Sequence, residues 1–458
     1  MNILRTKPIN ADVQKDSGLK RCLSALDLTI LGIGAIIGAG IFVLTGVAAA
    51  THAGPAIMVS FVIAGFACAF AALSYAELAA MIGGCGSAYG YSYAGFGEIL
   101  AWIIGWDLIL EYSVATSAVA IGWSSYVNNA LKAMGIQLPI ELVHSPVEGG
   151  LINLPAAGII LFLAILLALG VHHSARFNTV MVVIKLLAIS IFIGVGASHI
   201  DVANWQPFAP FGWPGIASGA AIIFFAYIGF DAVSTAAEEA KNPRRDLPIG
   251  ILGSLIVCTL IYMAVAAILT GIVPYQSLNS PSPVADALLR LGHRWAAGFV
   301  AAGAIAGLTT VMLVLYYGLT RIILSISRDG LLPLAFSRVN SHTQTPVRLI
   351  LASGLCMSMI AGFTPIGDVA ELVNIGTLAA FVTVCAGVLM LRYTRPDLHR
   401  PFKTPLMPFI PLLGILFCLY LMASLPFITW IRFAIWLAFG IIVYFAYSYR
   451  HSELQPKR

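Results

Sequence analysis

Within its first long apolar segment the chain reads Gly32-Ile33-Gly34-Ala35-Ile36-Ile37-Gly38-Ala39-Gly40-Ile41, with four glycines in nine residues. Glycine weakens a helix by about 1 kcal/mol relative to alanine, and unwound backbone is tolerated at membrane depth only where it lines a cavity or is buried in protein. A break near Gly38 to Gly40 would leave the amides and the positive dipole end of the next half-helix free to bind a carboxylate. Small-residue helix packing is the open alternative, since Gly34 and Gly38 have the GxxxG spacing.

A second irregular segment lies in the middle of the chain. It reads Phe224-Phe225-Ala226-Tyr227-Ile228-Gly229-Phe230-Asp231-Ala232-Val233-Ser234-Thr235-Ala236-Ala237-Glu238-Glu239. A charge at the depth of Asp231 costs about 2.5 to 3.5 kcal/mol on insertion scales. Carbonyls freed by unwinding at residues 227–230 could accept from an ammonium group. Together with a carboxylate site at the first break they describe a site for a zwitterion, although Asp231 could instead cap the half-helix that follows.

The composition is that of an integral membrane protein. Hydrophobic residues make up 59% of the 458 positions and charged residues 10%, against about 25% charged in a typical soluble domain. A bilayer-spanning helix takes about 20 apolar residues, so we predict an all-α membrane fold of about twelve transmembrane helices. Their predicted bounds are 26–50, 55–81, 97–128, 154–170, 177–198, 213–239, 248–274, 295–326, 347–363, 369–391, 408–425 and 428–449.

These helices predict a chain organised as two similar halves. Residues 1–25 form an N-terminal segment, residues 26–391 a ten-helix core, residues 408–449 two additional transmembrane helices, and residues 450–458 a tail. Within the core, 26–198 is the first repeat and 213–391 the second. With five spans in each, the second repeat starts on the opposite side of the membrane, as an inverted repeat requires.

Basic residues predict the orientation, because short cytoplasmic loops keep Lys and Arg. Twenty of the 25 fall on the side of the N-terminus and four on the other, namely Lys132, Arg290, Arg294 and Arg432. We therefore expect both termini to be cytoplasmic and the chain to be a multi-pass protein of the cell (inner) membrane. The seven cysteines lack the spacing of a metal site, and we expect no metal, no cofactor and no nucleic-acid partner.

Two ionisable residues are predicted deep inside the membrane. Lys185 lies nine residues beyond Arg176, about 13 to 14 Å along a helix, and could bind and release a proton in each transport cycle. It could also be a permanently charged residue that joins helices through backbone carbonyls. Glu111 lies at a similar depth, with the small Ala115 one turn further on. This leaves room for a long cationic side chain, unless Glu111 is paired within the bundle.

At these residues the chain resembles the amino acid, polyamine and organocation (APC) transporters, and within them the cationic amino acid transporter family with its bacterial proton-coupled members. The resemblance covers nearly the whole chain and is most specific in three stretches: 38–42, 224–239 and Tyr317-Gly318-Leu319-Thr320-Arg321 continuing to Pro333. It implies the LeuT-like fold, in which five helices and their inverted copy surround the substrate and two further helices lie outside.

The resemblance also implies roles for individual residues. Ile36, Ile37, Gly38, Ala39 and Gly40 would hold the substrate carboxylate. Carbonyls of Phe225, Ala226 and Ile228 would hold its amine, with Phe225 as an aromatic lid. Glu111, Ala115, Ile228, Asp231 and Leu315 would surround its side chain.

Two further positions bear on coupling and on carboxylate binding. Lys185 matches a lysine that stands in for a sodium ion, which favours proton coupling. Ala39 stands where many relatives have a hydroxyl residue, so carboxylate binding would rely on backbone amides. Thr309 and Thr310 are expected to lie too far towards the outer half of their span for a sodium site.

We therefore expect a proton-coupled symporter for cationic amino acids (arginine, lysine, ornithine) or small neutral ones such as alanine, embedded in lipid, with any small membrane subunit unknown. An exchanger without net proton coupling is the alternative. An intramembrane enzyme would need a nucleophile beside a base, and the sequence has no Ser or Cys with a His at a suitable depth, so we do not expect an enzyme. A channel is the remaining class, and concentrative uptake would exclude it.

Overall fold

The computed structural model describes residues 5–8, 21–82, 84–133, 135–280, 282–364, 366–423, 425 and 427–455. Over these residues the chain is helical, and the β-structure consists of one isolated bridge between Leu23 and Ala240. The α-helices of two turns or more are α1 Ala25–Ile36, α2 Ile57–Ile82, α3 Ala88–Gly95, α4 Glu98–Ala133, α5 Leu154–Ala168, α6 Val171–Ala197, α7 Gly212–Ile223, α8 Pro243–Ile272, α9 Pro283–Arg290, α10 Arg294–Arg328, α11 Val347–Phe363, α12 Ile366–Thr394, α13 Phe409–Ala423 and α14 Phe427–Val443. The short helices α3 and α9 lie outside the predicted spans.

Eight helical stretches in the described part of the chain are long and apolar enough to cross a membrane. Four more apolar helices have 10–17 residues: Ala25–Ile36, Leu154–Ala168, Val347–Phe363 and Phe409–Ala423. The all-helical membrane fold is thereby confirmed. The count of twelve spans and the inverted repeat stay predictions.

Two of the helices are interrupted, as the glycine content predicts. After α1 the chain leaves the helical conformation and resumes as Gly40–Leu44, Thr45–Ala48 and Ala49–Ala53, of which the first and last are wide π-type turns. After α7 the chain tightens into the 3₁₀ turn Phe224–Tyr227, breaks, and continues as the 3₁₀ segment Asp231–Ala236.

Local sequence explains where α1 begins. Ser24 accepts from the amide of Asp27 at 3.3 Å, and the Asp27 carboxylate accepts from the Ser24 amide at 2.8 Å. This reciprocal capping box satisfies donors at the helix start. The first interrupted helix therefore has a fixed beginning.

The interrupted helices lie inside a shell of continuous ones. α10 packs against α4, α6 and α1, while α8 packs against α1 and α2. α13 and α14 lie outside, where α13 packs on α12 and α2, and α14 joins α4 through the stacked rings of Trp106 and Trp436, 4.7 Å apart. Irregular backbone is thus enclosed by protein, which is the condition for its stability in a membrane.

Candidate functional site

The first break begins one residue before the predicted Gly38. Ile37 has an extended conformation, with φ −77° and ψ 102°, and the helix resumes at Ala39. A Cβ on Gly38 would lie 2.4 Å from Val311 Cγ2, so glycine is required there by close packing as well. Both interpretations of the glycine-rich stretch therefore apply, because the chain breaks and also packs tightly.

The second break lies at Ile228 and Gly229. Ile228 has φ −58° and ψ 133°, and Gly229 has φ +117°, a conformation that glycine adopts at no steric cost. A Cβ at Gly229 would also lie 2.8 Å from the Cβ of Ala35. Position 229 therefore requires glycine for its backbone conformation and for its contact with α1.

The two breaks adjoin one another. A Cβ on Gly40 would lie 2.2 Å from the Cβ of Ala226, so the two backbones are in direct contact. The hydroxyl of Tyr262, on α8, donates to the Ile36 carbonyl at 2.7 Å and lies 2.9 Å from the Ala226 carbonyl. One buried tyrosine thus joins the last carbonyl of α1 to the end of the other interrupted helix.

Tyr262 was not predicted from the sequence. Its signal is a tyrosine in the middle of the apolar run Leu260-Ile261-Tyr262-Met263-Ala264, since a buried tyrosine hydroxyl usually finds a partner. This signal predicts that the hydroxyl has a hydrogen-bond partner. It does not predict which one, because the two carbonyls come from distant parts of the chain.

The predicted amine-binding carbonyls already take part in hydrogen bonds. The Phe225 carbonyl accepts from the Ile228 amide at 3.3 Å, and the Ala226 carbonyl has Tyr262 as its partner. A carbonyl oxygen has two lone pairs, so each can accept once more. Phe225 is half-buried beside the fully buried Phe224.

Lys185 is fully buried and reaches the first break. Its ammonium donates to three carbonyls and one hydroxyl: Ile33 at 2.9 Å, Gly34 at 3.0 Å, Ile37 at 2.9 Å and Thr310 Oγ1 at 2.9 Å. An ammonium surrounded by oxygen atoms resembles a bound monovalent cation in its coordination. The arrangement fits a proton-exchanging lysine and a permanently charged one equally.

The expectation for the two threonines of α10 is wrong for Thr310. Its hydroxyl lies 2.9 Å from both Lys185 Nζ and the Gly34 carbonyl, at the same depth as the first break. Thr309 is one residue further round the helix and accepts from Trp123 Nε1 at 2.9 Å. Neighbouring residues on one helix point about 100° apart. The two threonines lie at nearly the same depth, so the sequence could not show that only Thr310 faces the first break.

Asp231 stabilises the second break from the other side. Its carboxylate accepts a hydrogen bond from the Tyr112 hydroxyl of α4, and the Gly229 amide donates to it at 3.3 Å. The amide that it binds precedes it in the chain, whereas a helix cap binds amides that follow. Asp231 therefore secures the unwound backbone at Gly229, and its role as a cap of the next segment stays a prediction.

The other residues predicted to surround a substrate side chain are also buried. Ala115 and Leu315 have 1% and 3% exposure, and Ile228 has 7%. Glu111 has 1% exposure, and neither of its oxygens has a hydrogen-bond partner within the described residues. Thr377 of α12 lies beside Glu111, so binding of a substrate by Glu111 and pairing within the bundle both stay predictions.

A buried ion pair closes one end of the bundle. Arg321 donates to Glu239 Oε1 through Nε at 3.0 Å and Nη2 at 2.7 Å, and the Tyr317 hydroxyl donates to the same carboxylate. Arg321 and Glu239 are each 1% exposed. Arg328 and Glu238 pair beside them at 2.7 Å. We call Glu239, Arg321 and Tyr317 the end cluster.

The chain belongs to the amino acid permease family, whose model matches residues 23–447. It is 49% identical to the branched-chain amino acid permease BcaP of Bacillus subtilis (strain 168) over 99% of both chains. It is 48% identical to the methylthioribose transporter of the same strain, again over 99% of both. Human cationic amino acid transporter 4 is 31% identical over 98% of this chain and 90% of that protein. The family comprises multi-span membrane transporters and not enzymes.

Proposed function

We propose that this permease is a proton-coupled symporter of L-amino acids that works by alternating access in the cell (inner) membrane, with both termini cytoplasmic. The contact between the two breaks, at Gly40 and Ala226, carries the proposal. Free amides on one side of that contact suit a carboxylate, and carbonyls on the other suit an ammonium group. Every amino acid has both groups one carbon apart.

The main-chain groups of the substrate would be held by backbone atoms. Amides of residues 38–40 would bind the carboxylate, without help from a hydroxyl at Ala39. The sequence also proposed Ile36 and Ile37, but Ile36 ends α1 and the Ile37 amide already donates to the Ile33 carbonyl at 3.1 Å. Carbonyls of Phe225, Ala226 and Ile228 would bind the ammonium group, and Phe225 would cover it.

Glu111, Ala115, Ile228, Asp231 and Leu315 would surround the substrate side chain. The unpartnered Glu111 carboxyl favours a cationic side chain such as that of arginine, lysine or ornithine. The names of the bacterial relatives, a branched-chain amino acid permease and a methylthioribose transporter, favour an uncharged one. Alanine and leucine are therefore included as substrates to be tested beside arginine.

Lys185 would couple transport to protons. Its three carbonyl partners belong to the first break, so loss of its proton would remove a donor from the backbone that holds the substrate. Binding of a proton and binding of an amino acid would then support one another, as coupling requires.

An exchanger without net proton coupling is the second candidate. The four oxygen partners of Lys185 favour it, because each stabilises the charged form of the ammonium group. A lysine that kept its proton throughout the cycle would be structural, and the substrate would then move only against another substrate.

Transport by purified protein in liposomes tests the proposal. We expect labelled arginine or alanine to accumulate under an inward proton gradient, and an ionophore that dissipates the gradient to abolish accumulation. Exchange without gradient-driven accumulation would favour the exchanger. Competition by arginine, alanine, leucine and methylthioribose would define selectivity, and competition by methylthioribose alone would contradict transport of amino acids.

A further inference from the structure

Asp107 is a buried carboxyl that the proposed transport cycle does not use. It lies on α4 one turn before Glu111, and both residues are 1% exposed. In the described residues, none of the four carboxyl oxygens has a hydrogen-bond partner. Residues four apart on a helix have their Cβ atoms about 5–6 Å from each other, so the two carboxyls are neighbours on one face.

That face is enclosed by α12. A Cβ on Gly376 would lie 2.6 Å from Asp107 Oδ1, which places this carboxyl against the backbone of α12. Thr377, the next residue, approaches Glu111, while its hydroxyl donates to the Val373 carbonyl at 3.0 Å. The two carboxyls therefore have α12 over them rather than solvent.

A second unpartnered group points to the same place. The Tyr75 hydroxyl, on α2, is fully buried and has no hydrogen-bond partner among the described residues. It lies close enough to Glu111 and Asp231 to interact with both electrostatically. The ring of Tyr91, on α3, packs edge-on against Tyr75 at 6.1 Å. The Tyr75 hydroxyl is thus a buried donor near the acidic groups without a hydrogen-bond partner in the described part of the chain.

The cations of the neighbouring elements are bound elsewhere. Arg321 pairs with Glu239, Arg392 with Glu77, Lys185 with the first break, Arg432 has partners of its own, and Arg348 is exposed. Among the described residues, Asp231 interacts electrostatically with Glu111, and it is also acidic. Two ionised carboxylates without a counter-charge, beside a third, would each carry the desolvation cost of an unpaired buried charge, and carboxylates that share a site cannot all ionise.

We propose that Asp107 and Glu111 together bind one proton, which resides on one carboxyl or the other, and form a second proton-binding site, separate from Lys185, from which a cationic substrate side chain displaces the proton. The displaced proton leaves to solvent water as the substrate cation enters, so the charge at the pair is conserved. With the proton bound, the pair is nearer neutral and admits an uncharged side chain. This proton-binding site extends the proposed function and rests on it for the identity of the substrate. It also explains how members of one family can accept both neutral and cationic side chains.

Infrared spectroscopy of the whole protein in lipid tests the proton-binding site without any substrate. We expect a carbonyl-stretch band of protonated carboxylic acid that the double substitution Asp107→Asn with Glu111→Gln removes. Each single substitution should move the titration midpoint of the band, because coupled groups titrate together. Glu141→Gln, at an exposed position, is the matched control and should leave the band unchanged.

A wild-type spectrum without a band sensitive to the double substitution would overturn the proposal, and so would single variants that titrate like the wild type.

Displacement is tested by adding arginine or alanine to weakly buffered protein. Arginine should release about one proton per bound molecule in the wild type and none in the double variant. Arginine binding without release overturns the displacement step. If the protein binds no amino acid at all, the proposed function is contradicted. The infrared result would still show whether Asp107 and Glu111 bind a proton.

Discussion

The Lys185 ammonium donates to the Ile37 carbonyl at 2.9 Å, at the residue where the first interrupted helix leaves its helical conformation. The ammonium therefore contacts the backbone that the substrate is proposed to bind, and it does so from a separate helix, α6. Protonation of one side chain can thus alter the conformation of the binding backbone.

Lys185→Ala should abolish the dependence of uptake on a proton gradient while exchange of labelled for unlabelled substrate continues. Removing the ammonium leaves three buried carbonyls without this donor, so we also expect weaker binding. Uptake and exchange in liposomes at matched protein content measure both. Lys132→Ala, at an exposed position, is the control. Accumulation by the Lys185 variant at the wild-type level would remove the lysine from coupling.

Tyr262→Phe should weaken substrate binding without preventing insertion into the membrane. The variant loses the one hydroxyl proton that both carbonyls approach, worth about 0.5–1.5 kcal/mol as a hydrogen bond, which corresponds to up to about threefold in affinity if half of that stabilises the binding conformation. Binding measured by calorimetry is the readout. The matched control is Tyr393→Phe, because Tyr393 is 74% exposed. Equal affinities for Tyr262→Phe and the wild type would mean that the bridge between the breaks is dispensable.

Gly229→Ala should lower the thermal stability and transport together. A side chain at φ +117° is strained, at a cost of about 1–3 kcal/mol, and its Cβ would overlap Ala35. Gly158→Ala on α5, where a Cβ would meet nothing within 4 Å, should instead preserve or raise the melting temperature. If the two variants behave alike, the conformation at Gly229 is not what matters.

Glu111→Gln should weaken competition by arginine more than competition by alanine. The amide keeps the shape of the carboxyl but cannot carry its charge, and only arginine presents a cation to it. Inhibition constants from liposome uptake give the comparison, with Glu141→Gln as the control. A similar loss for both amino acids would separate Glu111 from side-chain recognition.

Glu239→Gln should open the end of the bundle that the end cluster closes. Removing one partner of a buried ion pair costs about 3–5 kcal/mol. Cys85 reports this opening, because it is 1% exposed and its thiol donates to the Arg321 carbonyl at 3.3 Å. In a background with the other six cysteines replaced, maleimide labelling of Cys85 should accelerate in Glu239→Gln and not in Glu141→Gln. An unchanged rate would show that the cluster does not control access.

Much of the architecture could be predicted from local sequence. Apolar length and the scarcity of charge predict membrane helices, because the cost of burying charge or unpaired backbone in lipid applies residue by residue. Both breaks could also be predicted from local sequence, because Gly229 and the glycines of residues 32–40 weaken the helices that contain them. The candidate residues Lys185, Glu111 and Asp231 stood out because each is ionisable at membrane depth.

What each of these residues contacts was decided by tertiary structure. Tyr262 bridges carbonyls at positions 36 and 226, Lys185 meets Thr310, and Asp231 accepts from Tyr112. Glu111 and Asp107 share a face that α12 covers. A sequence shows that a polar group at such a depth requires a partner. Which partner it has depends on how helices distant in the chain pack together, since hydrogen bonds form over about 3 Å and are set by side-chain direction.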